Sequence, residues 1–170
     1  MKAETTFILG GARSGKSRFA ESLVLKSGLK PVYLATGRAY DEEMMQRVET
    51  HRSRRGGEWE TIEEPLALVD ALTNASYKGR MILVDCLTLW ITNLMMAEAD
   101  VAKEGAGLVR FLEGLEVPIV LVSNETGLGV IPENKMAREF TDFAGAIHQE
   151  VANVCDSVYL VTAGLPQKLK

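Results

Sequence analysis

A chain of 170 residues is long enough for one domain with a full hydrophobic core, since a domain near this size buries about 68–70% of the surface its unfolded chain exposes. With 19 Lys and Arg against 23 Asp and Glu, the net charge of −4 provides no global positive field to gather nucleic-acid phosphates or anionic lipid, which argues against nucleic acid or a membrane surface as partner. The apolar run before Gly10 is too short for a signal peptide and no stretch approaches the ~20 residues needed to span a bilayer, so a cytoplasmic protein without membrane insertion is expected.

Short runs rich in branched and aromatic apolar residues alternate with longer segments of helical period, the pattern of an α/β fold with a largely parallel sheet covered by helices. In chain order, strands are expected at Thr5 to Leu9, Pro31 to Ala35, Trp59 to Ile62, Met81 to Asp85, Ile119 to Ser123 and Ser157 to Thr162. Helices are expected at Lys16 to Ser27, Asp41 to Arg54, Pro65 to Leu72, Leu87 to Leu115 with a break around Asp100, and Asn134 to Val154. In the last helix Met136, Phe140, Phe143, Ile147, Val151 and Val154 step by three or four, which predicts one buried stripe. With no repeat or linker-like tract, residues 1–170 read as one domain, and Asn124 to Glu133 as a mobile glycine-bearing loop within it. Cys86 and Cys155 show no metal or redox spacing and read as reduced core thiols, and Trp59 and Trp90 as packing residues.

Directly after the first strand, Gly10-Gly11-Ala12-Arg13-Ser14-Gly15-Lys16-Ser17 fits GxxxxGK[ST] and opens a segment of good helix formers. Glycines let the backbone curl so that successive N–H groups point at phosphate oxygens, and the following helix adds the partial positive charge of its N-terminus. Lys16 is expected on the outer phosphates and Ser17 on Mg²⁺. The companion carboxylate should end a buried strand, and Met81-Ile82-Leu83-Val84-Asp85 offers Asp85 as a metal ligand, direct or through water.

The segment Asp41 to Arg55 begins with acids and ends with bases, as the helix macrodipole favours. Tyr40, Met44 and Val48 form its inward stripe, and His51 continues that stripe beside Arg52, Arg54 and Arg55. Two readings stand from these residues alone. One is a helix-end histidine with a solvated basic run. The other is a nucleophile that attacks phosphorus and forms a labile phosphoramidate, splitting one nucleotidyl transfer into two steps. His148, beside Ile147 on a helix whose apolar stripe is otherwise complete and without flanking bases, is assigned no chemistry.

The chain resembles the bifunctional adenosylcobinamide kinase and adenosylcobinamide-phosphate guanylyltransferase family of cobalamin biosynthesis. The resemblance covers nearly the whole chain: the glycine-rich loop, Asp41 to His51, Val84-Asp85-Cys86-Leu87-Thr88-Leu89-Trp90, Val122 to Asn134, and the closing Ala163-Gly164-Leu165-Pro166. It implies a P-loop NTPase of RecA-like fold and a homo-oligomer, often a homotrimer. It also implies two reactions, phosphorylation of adenosylcobinamide by ATP or GTP and transfer of GMP from GTP to the resulting phosphate. His51 matches the family's guanylylated histidine. By the same resemblance Gly10 to Ser17 form the phosphate loop, Ala35, Thr36 and Gly37 a nucleotide-contacting turn, and Arg52, Ser53, Arg54 and Arg55 the segment after the nucleophile. Glu63 and Asp85 are acidic positions near the nucleotide. The corrinoid acceptor is expected near the loop bearing Gly127 and Gly129. Two rival readings keep the phosphate loop and differ elsewhere: a small-molecule kinase without a covalent intermediate, and a nucleotide-dependent switch.

Overall fold

The computed structural model describes residues 3–37 and 56–170. The helix expected over Asp41 to Arg54, with His51, lies outside the described residues. Among the described residues seven strands, β1 (Thr5–Gly10), β2 (Lys30–Ala35), β3 (Glu60–Glu63), β4 (Arg80–Asp85), β5 (Ile119–Asn124), β6 (Ser157–Thr162) and β7 (Leu165–Lys168), form one sheet in the order β3-β2-β4-β5-β1-β6-β7. All neighbours pair in parallel except β6 and β7. The central strands read as continuous apolar runs because both their faces are covered, and Phe7, Ile8, Ile82, Leu83, Val84 and Val120 are fully buried.

Five helices accompany the sheet among the described residues: α1 (Lys16–Lys26), α2 (Leu68–Ala75), α3 (Leu87–Met96), α4 (Val101–Glu113) and α5 (Lys135–Val154). On one face Ala20 and Val24 of α1 pack with Ile8, Leu83, Val120, Val122 and Val161. The other face carries the larger core, in which residues of α2 to α5, among them Trp90, Leu108 and Ile147, meet Phe7, Val84 and Leu121. The break expected around Asp100 is a helix start: its carboxylate accepts the Lys103 amide at 3.0 Å and caps α4. Asn134 caps α5 in the same way through the Ala137 amide.

Two expectations need correction. Met136 is 45% exposed and stands off the buried stripe, which narrows to Ala144, Ile147, His148 and Val151 with Phe140 and Phe143 partly covered. A helix of 20 residues is ~30 Å long, whereas a strand of six spans only ~20 Å, so the first turns of α5 overhang the sheet. The second correction is β7, which the run Leu-Pro-Gln-Lys does not suggest. It is made by the turn before it. Ala163 and Gly164 both take positive φ, 52° and 79°, the twist of a two-residue hairpin loop, and Pro166 is tolerated because the strand is an edge. No helix among the described residues is long and apolar enough to cross a membrane.

Candidate active site

Because the strands run parallel, Gly10, Ala35, Glu63, Asp85 and Asn124 all fall at the C-terminal edge of the sheet, where ligands of open α/β sheets bind. The phosphate loop curls over this edge from β1 to α1. The Ser14 amide donates to the Gly11 carbonyl at 3.2 Å, Arg13 adopts a left-handed φ of 56°, and Gly15 reaches φ 95° immediately before the helix. A side chain at Gly15 would also press on Gly164, whose amide donates to the Ser14 carbonyl at 2.7 Å. The β6–β7 turn therefore buttresses the loop. α1 starts at Lys16 with no side-chain cap and no acid in its first turn, which leaves its leading amides to an anion.

Two polar groups inside the loop await a partner of the right charge. Ser14 is buried and its hydroxyl makes no hydrogen bond among the described residues. Lys16 is 9% exposed, and its ammonium donates to the Gly11 carbonyl at 3.1 Å. Burying a hydroxyl unpaired and a cation opposite a lone carbonyl is costly. A phosphate would satisfy both. The cleft in front of them, about 720 Å³, is lined by Ala12 to Ser17 together with Arg18, Glu21, Asn124 and Gly164.

The other expected site residues divide. Asp85 ends β4, half-buried, and its Oδ2 accepts the Tyr33 hydroxyl at 3.0 Å. Its carboxylate and the Ser17 hydroxyl are each hard-oxygen donors of the kind Mg²⁺ prefers, and the Ser14 hydroxyl, unpaired among the described residues, suits the phosphates that accompany such an ion. Ala35 ends β2 and Gly37 lies against Leu89. Thr36 is wholly buried, with its hydroxyl donating to the Cys86 carbonyl at 2.6 Å and accepting the Cys86 amide at 3.0 Å. Its carbonyl accepts from Asn93 at 2.7 Å, so this residue ties β2 to α3. Glu63 is exposed at the end of edge strand β3 and borders a separate hollow with Glu64, Ala67 and Asp70. His51, Arg52, Ser53, Arg54 and Arg55 lie outside the described residues. Burial, reinforced by the charge of Asp85, pushes the Cys86 thiol up to about 12, which makes it an inert core thiol at neutral pH.

Asn124 was not singled out by sequence reasoning, although it begins the glycine-bearing loop. Its amide donates to Thr88 Oγ1 at 2.7 Å, and the next amide, Glu125 N–H, donates to the Gly10 carbonyl at 3.0 Å. These bonds seat the end of β5 against the phosphate loop. Only strand order could reveal this, since β1 and β5 lie far apart in the chain.

Comparison with known proteins agrees with this geometry. The crystal structure of the flagellar accessory protein FlaH from Methanocaldococcus jannaschii superposes with a TM-score of 0.57 at 17% identity, covering 98% of this chain and 78% of that one. The RadB recombinase gives 0.54 at 16% identity over 92% and 73%. These likenesses show the fold alone, a P-loop, RecA-like sheet. The bifunctional adenosylcobalamin biosynthesis protein CobP of Pseudomonas aeruginosa is 50% identical over 165 residues, 96% of this chain and 95% of that protein. The CobU protein of Escherichia coli with the same description is 34% identical over 178 residues, 96% and 98% of the two chains. The family model described as cobinamide kinase / cobinamide phosphate guanyltransferase matches residues 6–169, and the chain belongs to that family.

Proposed function

We propose that the chain phosphorylates adenosylcobinamide and then carries GMP from GTP to adenosylcobinamide phosphate by way of a guanylyl group on His51. Membership of the family makes it a bifunctional cobinamide kinase and guanyltransferase. The observation that carries the chemistry is the buried pair in the phosphate loop, an unpartnered Ser14 hydroxyl beside the Lys16 ammonium. In the kinase step the acceptor hydroxyl of the corrinoid forms a bond to the γ-phosphorus as the bond to the β-phosphate oxygen breaks. Lys16 and the loop amides hold the outer phosphates in line and offset the charge that moves onto the leaving diphosphate. Ser17 and Asp85 would hold Mg²⁺, which supplies further neutralisation of phosphate charge when bound.

In the second reaction an imidazole nitrogen of His51 forms a P–N bond to the α-phosphorus of GTP, and pyrophosphate leaves. An oxygen of the corrinoid phosphate then attacks the same phosphorus, the P–N bond breaks, and His51 is returned with adenosylcobinamide-GDP as product. Arg52, Ser53, Arg54 and Arg55 follow the nucleophile and would contact the nucleotide, as would Ala35, Thr36, Gly37 and Glu63. We further propose that the chain works as a homo-oligomer, a trimer by family likeness. Leu128, Val130 and Ile131 support this, being 77 to 96% exposed on one loop, as do Leu165 and Leu169 on the β7 edge.

The test is to incubate the protein with Mg²⁺ and α-labelled GTP, denature it, and follow label held in an acid-labile, alkali-stable bond. Label on the wild type and none on His51→Ala is expected, with part of the kinase activity kept in the variant. A folded His51→Ala protein that loses both activities equally would refute the division of labour.

A further inference from the structure

We infer that His148 is a positioning residue for the phosphate cleft, acting through the hydroxyls of Ser123 and Thr88 on the main chain at Asn124. This rests on the nucleotide-binding reading of that cleft. His148 lies on the inner face of α5, 8% exposed, with its ring 5.5 Å from that of Phe7. Its Nε2 is 2.8 Å from Ser123 Oγ, Ser123 Oγ is 3.0 Å from Thr88 Oγ1, and Thr88 Oγ1 accepts the Asn124 amide at 2.7 Å. Four polar groups from three elements thus form one chain that crosses the larger core and ends beside the phosphate loop.

The Asn124 amide can only donate, so Thr88 Oγ1 accepts it. In the arrangement we infer, Thr88 gives its proton to Ser123, Ser123 gives its proton to Nε2, and the neutral ring keeps its proton on Nδ1. Burial lowers the pKa of His148, opposed by the charge of Glu125, and a neutral ring is what the relay requires. The ionisable groups sharing its cleft are Glu125, at the end of β5, and Lys170, beyond β7. A core alone would be served as well by Leu or Phe here, without burying the Ser123 hydroxyl and an imidazole.

Its end point gives the relay a use. Asn124 lines the phosphate cleft, while Glu125, Thr126 and Gly127 line a second cleft of about 460 Å³ floored by His148. The end of β5 is a ridge between the two. Held by Thr88 through one amide and by Gly10 through the next, it presents the Asn124 carboxamide to whatever the phosphate loop binds.

The experiment compares His148→Leu, His148→Gln, Ser123→Ala and the Ser123→Ala/His148→Leu double variant in the full chain, reading amide hydrogen exchange and steady-state phosphoryl transfer from GTP to adenosylcobinamide. In His148→Leu, exchange at the Asn124 amide should speed up while β1 and β4 stay protected. Its kcat should fall roughly five- to tenfold, the weight of one hydrogen bond, with KM for GTP within about twofold. His148→Gln, whose amide oxygen can take the Ser123 proton, should recover most of kcat, and the double variant should be no worse than the worse single one. Unchanged exchange at Asn124, additive losses, or a Gln variant as poor as Leu would overturn the proposal. Should Leu prevent folding, the Gln and Ser123→Ala proteins decide it by the same readouts. Absence of activity in the wild type would defeat the nucleotide reading alone, and the exchange measurement would still decide the relay.

Discussion

Gly10 and Gly11 stand side by side in the phosphate loop, yet alanine should act very differently at each. A Cβ at Gly10 would sit 2.5 Å from Ser14 Oγ and 2.7 Å from the Val161 carbonyl oxygen. The hydroxyl can rotate away, but the carbonyl belongs to β6, which runs in register beside β1 at this point. Either the β1–β6 ladder or the loop must shift, and overpacking of this kind costs about 1–3 kcal/mol. For a domain of this length each kcal/mol moves Tm by ~2–4 °C, so Gly10→Ala should melt roughly 2–12 °C lower. Displacing the Ser14 hydroxyl should also remove one hydrogen bond to a charged group, a loss of roughly ten- to a hundredfold in GTP affinity. A Cβ at Gly11 meets no atom within 4 Å, so Gly11→Ala should melt as the wild type does. Differential scanning calorimetry and titration calorimetry with GTP and Mg²⁺ read the two effects. Equal melting of the two variants, or unimpaired GTP binding by Gly10→Ala, would refute the reasoning.

Lys16→Met should leave urea stability within ~1 kcal/mol, because the lost partner is one carbonyl, while lowering kcat for phosphoryl transfer about a hundredfold or more; paired unfolding and activity assays separate the two. Gly105→Ala should destabilise by about 1–2 kcal/mol in urea despite the better helix propensity of alanine, because a Cβ there meets Ile147 Cγ1 at 2.8 Å; a stabilised variant would contradict the close packing of α4 on α5. His148 has a pKa below its ordinary value, so its neutral burial costs nothing above the unfolded value near 6.5 and stability should fall as pH drops below it toward the folded value. Melting between pH 7.5 and 5 should show this loss, and His148→Gln should reduce its slope.

How much was legible follows the range of the forces involved. The phosphate loop was, because its demands are local: glycines where the backbone must curl, a lysine and a hydroxyl at set spacing, and a strand and helix on either side. The buried strands were legible because full burial on both faces leaves an uninterrupted apolar run, and so were the break at Asp100 and the helix start at Asn134, where the structure adds side-chain caps. β7 was not, since its residues are exposed and its pairing comes from two positive φ angles in the turn before it. Thr36 was legible only as part of the turn after β2; its bonds to Cys86 and Asn93, which tie that turn to α3, come from residues at least 50 positions away.

His148 marks the boundary. In the sequence it stands beside Ile147, outside the expected apolar stripe, and as an isolated histidine it carried no chemistry; its burial appears only in the fold. Its partners are a strand-end serine 25 residues away and, through it, a threonine on α3, and no periodicity along the chain encodes that meeting. From its own residues the chain specifies a nucleotide-binding α/β domain, since propensity, burial pattern and loop chemistry all act between near neighbours. Which strand lies next to which, and therefore that Asn124 faces the phosphate loop, is settled by packing. Contacts between residues remote in sequence depend on how the whole sheet is assembled.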